Sequence, residues 1–189
     1  MSSTTAPAIK IINLTEPRQT PEMSVAYTTV ESPVGDLLLV GFQKDESLVL
    51  TGLYMDGQRH GIGVGDLWCR DNDLFGGLSE QLGEYFAGTR RTFDVTIAAA
   101  GTDFQLRVWR QLAVIEYGET ITYGELAARV EVPGASRAVG TANGHNPVAI
   151  VVPCHRVVAA GGGLGGYGGG LARKRQLLDL EGASATLKM

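Results

Sequence analysis

Cysteine is scarce in this chain: its 189 residues hold two, Cys69 and Cys154, and no Cys-x-x-Cys. That excludes a disulfide framework. With His60, His145 and His155 at no ligand-like spacing to either thiol, no metal site is expected. Both thiols are expected free, in a reducing compartment. Long apolar runs are missing too, none approaching the roughly 20 residues of a membrane-crossing helix. Residues 1–22 lack the charged-then-apolar pattern of a secretion signal and carry Pro7, Pro17 and Pro21 among polar neighbours. They read as a flexible N-terminal tail, and the protein as cytoplasmic with no membrane partner. Basic runs are absent apart from Arg173-Lys174-Arg175, and the net charge is −4, so non-specific nucleic-acid binding would rest on few phosphate contacts. The charge is unevenly placed, however. Residues 1–101 hold 7 Lys/Arg against 13 Asp/Glu, whereas residues 102–189 hold 9 against 7, which leaves the less acidic half around Cys154.

The first half reads as an antiparallel meander. Ser24–Glu31, Leu37–Phe42 and Leu48–Tyr54 are strand-like, parted by Pro33-Val34-Gly35 and Lys44-Asp45-Glu46. Residues 56–66 form a Gly- and Asp-rich loop. Leu74, Leu78, Leu82 and Tyr85 then share one face of a helix expected to end near Gly88. A further strand is expected over Thr92–Ile97, and the alanines before Gly101 mark a boundary. The expected layout is a tail over 1–22, an N-terminal α/β domain over 23–98, a C-terminal domain over 99–184 and a short tail over 185–189.

Thr102-Asp103-Phe104-Gln105 opens the second half with a capping box, and Thr122-Tyr123-Gly124-Glu125 supplies another. Val132-Pro133-Gly134 breaks the second helix. Ala135 to Gly144 resumes a small-residue helix carrying Ser136, Arg137, Ala138 and Asn143. A tight turn between two such helices fits a helix-turn-helix whose second helix approaches a DNA groove. Close helix packing accounts for the small residues equally well. Further on, Ile150-Val151-Val152 reads as a buried strand stopped by Pro153. Cys154 follows where the backbone must turn, beside a base-capable His155. A thiol on a stiff frame next to an imidazole suits covalent sulfur chemistry, although a lone buried cysteine is more often a small hydrophobe. Eight glycines between Gly161 and Gly170 surround Leu164 and Tyr167. They are no phosphate loop, and they fit either a pocket wall or a flexible surface loop. The last helix, Leu171–Leu180, delivers Glu181 at its end.

Pro153-Cys154-His155-Arg156-Val157, together with Tyr123, Arg137-Ala138-Val139-Gly140, Asn143 and Asn146-Pro147, resembles the O6-alkylguanine-DNA alkyltransferase family. Gly165, Tyr167, Gly169, Lys174, Leu177-Leu178 and Glu181 continue the resemblance over residues 101–182. The first hundred residues match more loosely, in Ser32-Pro33-Val34-Gly35 and Tyr85-Phe86-Ala87-Gly88. The resemblance implies a ribonuclease H-like N-terminal domain and a mainly helical, winged-helix-like C-terminal domain with the helix-turn-helix. It implies single-turnover repair of double-stranded DNA, with the alkyl group passing from guanine O6 to Cys154 and no cofactor. His155 would draw off the thiol proton through a water, Glu181 would hold the imidazole, and Asn146 would brace the turn ahead of Cys154. Arg137 would fill the space left by the flipped base, on a DNA-contacting helix that includes Ala135, Ser136, Ala138, Asn143 and Gly144. Tyr123 would crowd the 3′ phosphate and Tyr167 would donate to guanine N3. The backbones of Val157 and Gly168 would contact the base edge, and Lys174 would support the pocket.

Two positions depart from the family pattern: Glu116, where proline is common before Tyr-Gly, and Glu131, where a glycine usually closes the helix. A glutamate resists the left-handed conformation of such a cap. Acceptance of O4-alkylthymine or larger alkyl groups stays open, as does cooperative assembly on DNA of an expected monomer. A non-enzymatic lesion binder and a Cys-His hydrolase are the rival readings. The hydrolase is weakened because neighbours on an extended chain point to opposite sides. Cys69 is expected to be structural.

Overall fold

The structure is a computed structural model that describes residues 9–13 and 24–183. Strands β2 (Ala26–Val30), β3 (Leu37–Lys44) and β4 (Ser47–Met55) form the antiparallel meander. Leu37 and Leu39 of β3 join the main core, while Phe42 of β3 and Val49 of β4 pack with Ala98 in a second small cluster, so β3 is buried without a break from Leu39 to Phe42. The sheet as a whole is mixed rather than antiparallel. Its order is β1-β6-β4-β3-β2-β5, where β1 is Ile9–Asn13, β5 is Cys69–Arg70 and β6 is Val95–Ala99. β6 lies parallel to β4 and β1, and β5 lies parallel to β2. A parallel neighbour needs a long crossover, and the chain between β4 and β6 supplies it through helix α1 (Gly76–Phe86). Leu78, Leu82 and Tyr85 of α1 are buried against the sheet.

The strand β1 corrects the reading of residues 1–22 as a tail. Ile9, Ile11 and Ile12 give this stretch β propensity, and it pairs in register with all five residues of β6. The hydrogen-bonding groups on that edge of β6 are thereby satisfied. The remainder of the expected N-terminal tail, and the C-terminal tail at 185–189, lie outside the described residues.

The second half is helical. Helices α2 (Asp103–Ala113), α3 (Tyr123–Arg129), α4 (Ser136–Gly144) and α5 (Leu171–Leu180) accompany a two-residue parallel ribbon of β7 (Ile121–Thr122) and β8 (Val157–Val158). Both capping boxes form: Thr102 Oγ1 accepts from Gln105 N–H at 3.2 Å, and Thr122 Oγ1 accepts from Glu125 N–H at 3.1 Å. Trp109 Nε1 donates to Ala142 O at 2.9 Å, locking α2 to α4. One hydrophobic core runs through both halves, from Leu39 and Ile97 of the sheet to Leu126, Val139 and Leu177 of the helices.

Glu131 ends α3 at φ +62°. Glu131 N–H donates to Ala128 O at 3.0 Å and Val132 N–H to Ala127 O at 2.9 Å. These two bonds make a Schellman cap, with glutamate where glycine is favoured. The tight turn between α3 and α4 therefore forms with glutamate in the left-handed position, at a cost of about 1 kcal/mol in backbone strain.

Candidate active site

The stretch ahead of Cys154 is not the strand expected for Ile150-Val151-Val152. Pro147 and Pro153 bracket it, and the backbone between them coils: Val151 N–H donates to Ala149 O at 2.8 Å and Val152 N–H to Val148 O at 3.0 Å. Ile150 sits at φ +68°, an unusual conformation for a β-branched residue. All three side chains are buried. A short apolar run satisfies a strand and a buried turn equally, so its burial was legible and its backbone was not. The coil is held from two sides. Asn146 Nδ2 donates to Val152 O at 2.8 Å while Asn146 Oδ1 accepts from Val148 N–H at 3.1 Å. Leu53 of β4 donates to Pro147 O at 2.9 Å and accepts from Ala149 N–H at 3.0 Å. The sheet of the first half is thus stitched directly to the turn that presents the thiol.

Cys154 opens a short 3-10 turn with His155 and Arg156. The backbone here is therefore a turn and not an extended chain. Successive side chains in such a turn still diverge, by about a third of a revolution. Burial pushes the Cys154 thiol above its ordinary pKa, while the Asn146 side chain and the Lys174 ammonium pull it down. Lys174 is fully buried; its ammonium donates to Val157 O at 2.5 Å and Gly166 O at 3.2 Å. Burial lowers the Lys174 pKa to about 8, against the raising influence of Cys154.

Behind the thiol lies a sealed charge cluster. His155 Nε2 meets Glu181 Oε1 at 2.9 Å, with both side chains wholly buried. Arg156 donates to the same carboxylate twice, Nε to Oε2 at 2.8 Å and Nη2 to Oε1 at 2.9 Å. Tyr85 of α1 adds its hydroxyl to Oε1 at 2.7 Å. For Glu181, burial works to raise the pKa, but the bonds and charges of His155 and Arg156 outweigh it and hold the carboxyl well below the usual range. The ionised carboxylate only accepts, so Nε2 carries the imidazole hydrogen. For His155, burial lowers the pKa while Glu181 opposes. The net result is a neutral ring whose Nδ1 is free to accept, and Nδ1 has no hydrogen-bond partner among the described residues.

A cavity of about 10 Å³ lies beside Cys154, lined by Gln58, Asn143, Asn146, Tyr167 and Gly168 among others. It has room for about one water. Burial raises the Tyr167 pKa well above its ordinary value, so the phenol stays a donor. The glycine loop forms this wall as the pocket reading required. A side-chain carbon at Gly169 would lie 2.7 Å from Met55 Sδ, and one at Gly165 would lie 2.8 Å from the Tyr123 ring. Among the described residues no group of three or more His, Cys, Asp or Glu is placed to hold a metal, and no helix is long and apolar enough to cross a membrane.

Two family models match this chain and together cover most of it. Residues 25–99 match the ribonuclease-like domain of 6-O-methylguanine DNA methyltransferase, and residues 103–183 match its DNA-binding domain. The chain belongs to the 6-O-methylguanine DNA methyltransferase family. Among its relatives, the methylated-DNA–protein-cysteine methyltransferase of Mycobacterium tuberculosis is 51% identical over 161 residues, covering 85% of this chain and 94% of that one. The Methanosarcina acetivorans protein of the same name is 49% identical over 157 residues, covering 83% and 98%. The crystal structure of Mycobacterium tuberculosis OGT in complex with DNA matches with a TM-score of 0.75 and 50% identity, over 86% of this chain and 94% of that one. The two-part architecture of this family, an N-terminal sheet domain and a C-terminal helical domain, is the one observed here.

The methyltransferase signature residues fall in three places. Cys154, His155, Glu181 and Asn146 gather at the buried turn, with Lys174 and Val157 packed against it. Tyr123 lies half-buried at the edge, its hydroxyl donating to Gly166 O at 3.2 Å, and Gly168 O accepts from Arg59 N–H at 2.8 Å. On α4, Arg137 and Ala138 are exposed while Ala135, Ser136 and Gly144 are partly covered. Asn143 departs from the expected DNA face. It is 3% exposed and turns into the pocket, with Nδ2 donating to Cys154 O at 3.4 Å. Cys69, expected to be structural, is exposed on the short strand β5. Sequence reasoning missed Tyr85, Arg156 and Gln58. Tyr85 counted only as part of an apolar helix face, because nothing local announces a partner 96 positions away. Arg156 stood inside the motif without a role.

Proposed function

We propose that this protein repairs DNA by direct reversal, moving a methyl or larger alkyl group from guanine O6 in double-stranded DNA to Sγ of Cys154. The observation that carries the reading is the neutral His155 beside Cys154, with Nε2 tied to Glu181 and Nδ1 unpartnered. A water bridging Sγ of Cys154 and His155 would take the thiol proton and pass it to Nδ1, leaving a thiolate, the reactive form of sulfur. The S–C bond forms as the alkyl C–O6 bond breaks, and the departing guanine anion takes up the proton that left the thiol, returned by the imidazolium through water, so that the ring ends neutral. Lys174 stabilises the thiolate, and Tyr167 donates to the base at N3. The backbones of Val157 and Gly168 border the base edge, and Asn146 keeps the turn in shape. The thioether product is stable and no group nearby removes it, so each chain reacts once.

A base inside the duplex is out of reach of a buried sulfur and must be flipped out. The reading assigns Arg137 to the vacated stack and Tyr123 to the flanking phosphate. It makes α3 and α4 a helix-turn-helix in a winged-helix-like domain over residues 99–184. The N-terminal domain, residues 23–98, is read as ribonuclease H-like on the strength of its mixed sheet and crossover helix. The protein would act as a cytoplasmic monomer.

Intact-protein mass after incubation with a duplex carrying one O6-methylguanine tests this directly. One added methylene per chain, mapped to Cys154 and absent in Cys154→Ser, is expected. Selective binding of the duplex with no mass change would establish a lesion binder instead, and repeated turnover of an ester would establish a hydrolase.

A further inference from the structure

Tyr85 is fully buried within an aromatic group, its ring centroid 5.3 Å from Phe86, 5.5 Å from Phe93 and 6.1 Å from Tyr117. A phenylalanine would pack there as well. A hydroxyl in such surroundings is tolerated only with a partner, and its partner is Glu181 Oε1 at 2.7 Å. That oxygen also faces His155 Nε2 and Arg156 Nη2, each at 2.9 Å. Arg156 already neutralises the carboxylate, so the Tyr85 bond is not required for charge balance. It competes with His155 for the same lone pairs.

We propose that Tyr85, from the N-terminal domain, is a positioning residue for alkyl transfer, its hydroxyl orienting Glu181 and limiting how strongly that carboxylate holds the His155 proton. The inference rests on transfer to Cys154 as read above. A carboxylate that accepts from Tyr85 and Arg156 pulls less on Nε2–H, so His155 stays neutral with Nδ1 available to receive the thiol proton. Burial, then the neighbouring Glu181 charge, raise the Tyr85 pKa, so the phenol remains a donor throughout the working range. The other titratable and charged groups facing the cluster are Arg156 of the turn, Lys174 of α5, Tyr167 of the glycine loop, and Tyr117, over whose ring Arg91 lies at 5.5 Å. Tyr117 does not substitute for Tyr85, because its hydroxyl donates to Leu180 O at 2.9 Å. The bond also gives the sheet domain a part in the chemistry, since α1 adds a third group at the oxygen that His155 and Arg156 of the helical half already meet.

The test measures the methyl-transfer rate constant, from mildly acidic to mildly alkaline pH, for wild type, Tyr85→Phe and a chain with 3-fluorotyrosine at position 85. Loss of the hydroxyl should slow transfer about tenfold, the lower end of what outer hydrogen-bond partners contribute at other imidazole sites. It should also move the acid limb of the profile to higher pH, because Glu181 then stabilises the imidazolium better. The fluorinated phenol is a stronger donor of the same shape and should move the limb to lower pH. In a Glu181→Gln background, Tyr85→Phe should add nothing further, and duplex affinity should be unchanged throughout. Identical acid limbs in all three proteins would overturn the inference, as would a slower Tyr85→Phe whose pH profile stays in place, which would report packing alone. Should Tyr85→Phe fail to fold, the sign of the shift in the fluorotyrosine chain decides. If wild type itself leaves the DNA methylated, the transfer reading falls. Wild-type transfer with unmoved profiles removes only the role of Tyr85.

Discussion

Four side-chain donors converge on the Glu181 carboxylate inside the protein (Tyr85 Oη, His155 Nε2, and Arg156 Nε and Nη2), and the N–H of the exposed Gly118 reaches it at 3.4 Å. On α4, a short distance along the chain, Arg137, Ala138 and Thr141 stand exposed. The buried cluster has its energy and geometry in place before any partner arrives. The exposed helix face carries a cation, Arg137, whose electrostatic value is realised only against a partner. Chemistry that depends on sub-ångström placement is built on the first kind of surface, and recognition of a long polyanion on the second.

Breaking the buried side should cost most. Glu181→Gln leaves Arg156 as a buried cation without its counter-charge, a loss of about 3 kcal/mol in stability. It also frees the imidazole, for a transfer rate lower by about 100-fold. The acid behaviour sharpens the point. Because the folded-state pKa of Glu181 is depressed below its ordinary 4.5, its contribution is present above that value and is lost as pH falls through the folded one. Thermal melts across acidic pH should show a shallower decline in the variant, and an unchanged decline would contradict the assignment.

Breaking the exposed side should spare the fold. Arg137→Ala is expected to keep stability within about 0.5 kcal/mol. The salt dependence of DNA affinity should fall by about one counterion in slope, and methyl transfer from free O6-methylguanine base should be unaffected. A drop in thermal stability would show that Arg137 belongs to the packed structure and not to the interface. The smallest effect is expected at the junction between the two helices. Glu131→Gly removes a left-handed glutamate from the α3 cap and should stabilise the protein by about 1 kcal/mol, measured by denaturant unfolding, with transfer from the free base unchanged.

Elements whose signals are local were legible. The capping boxes at Thr102 and Thr122 start helices where the residue pattern places them, because a cap is a bond between neighbours three positions apart. The turn residues Pro33-Val34-Gly35 and Lys44-Asp45-Glu46 mark the meander for the same reason, because a turn is also set by neighbouring residues. What failed was the backbone of uniformly apolar stretches. Ile150-Val151-Val152 is buried as expected but coiled, since two prolines and the Asn146 bonds decide its path. Ile9–Asn13 has β propensity in its three isoleucines, but it is a strand because β6 offers an edge to pair with, which the five residues do not announce.

The motif around Cys154, His155 and Asn146, with Tyr123 and Arg137 upstream and Glu181 downstream, was enough by itself to name the family. A covalent reaction needs particular side-chain types at particular separations. Only the tertiary structure decided how these groups are tuned. It placed Tyr85 and Arg156 on the Glu181 carboxylate, turned Asn143 inward to the pocket, and set the Leu53 backbone against the active-site turn. Each of these is a contact between positions far apart in the chain, created by burial of a shared core, and burial is a property of the folded whole.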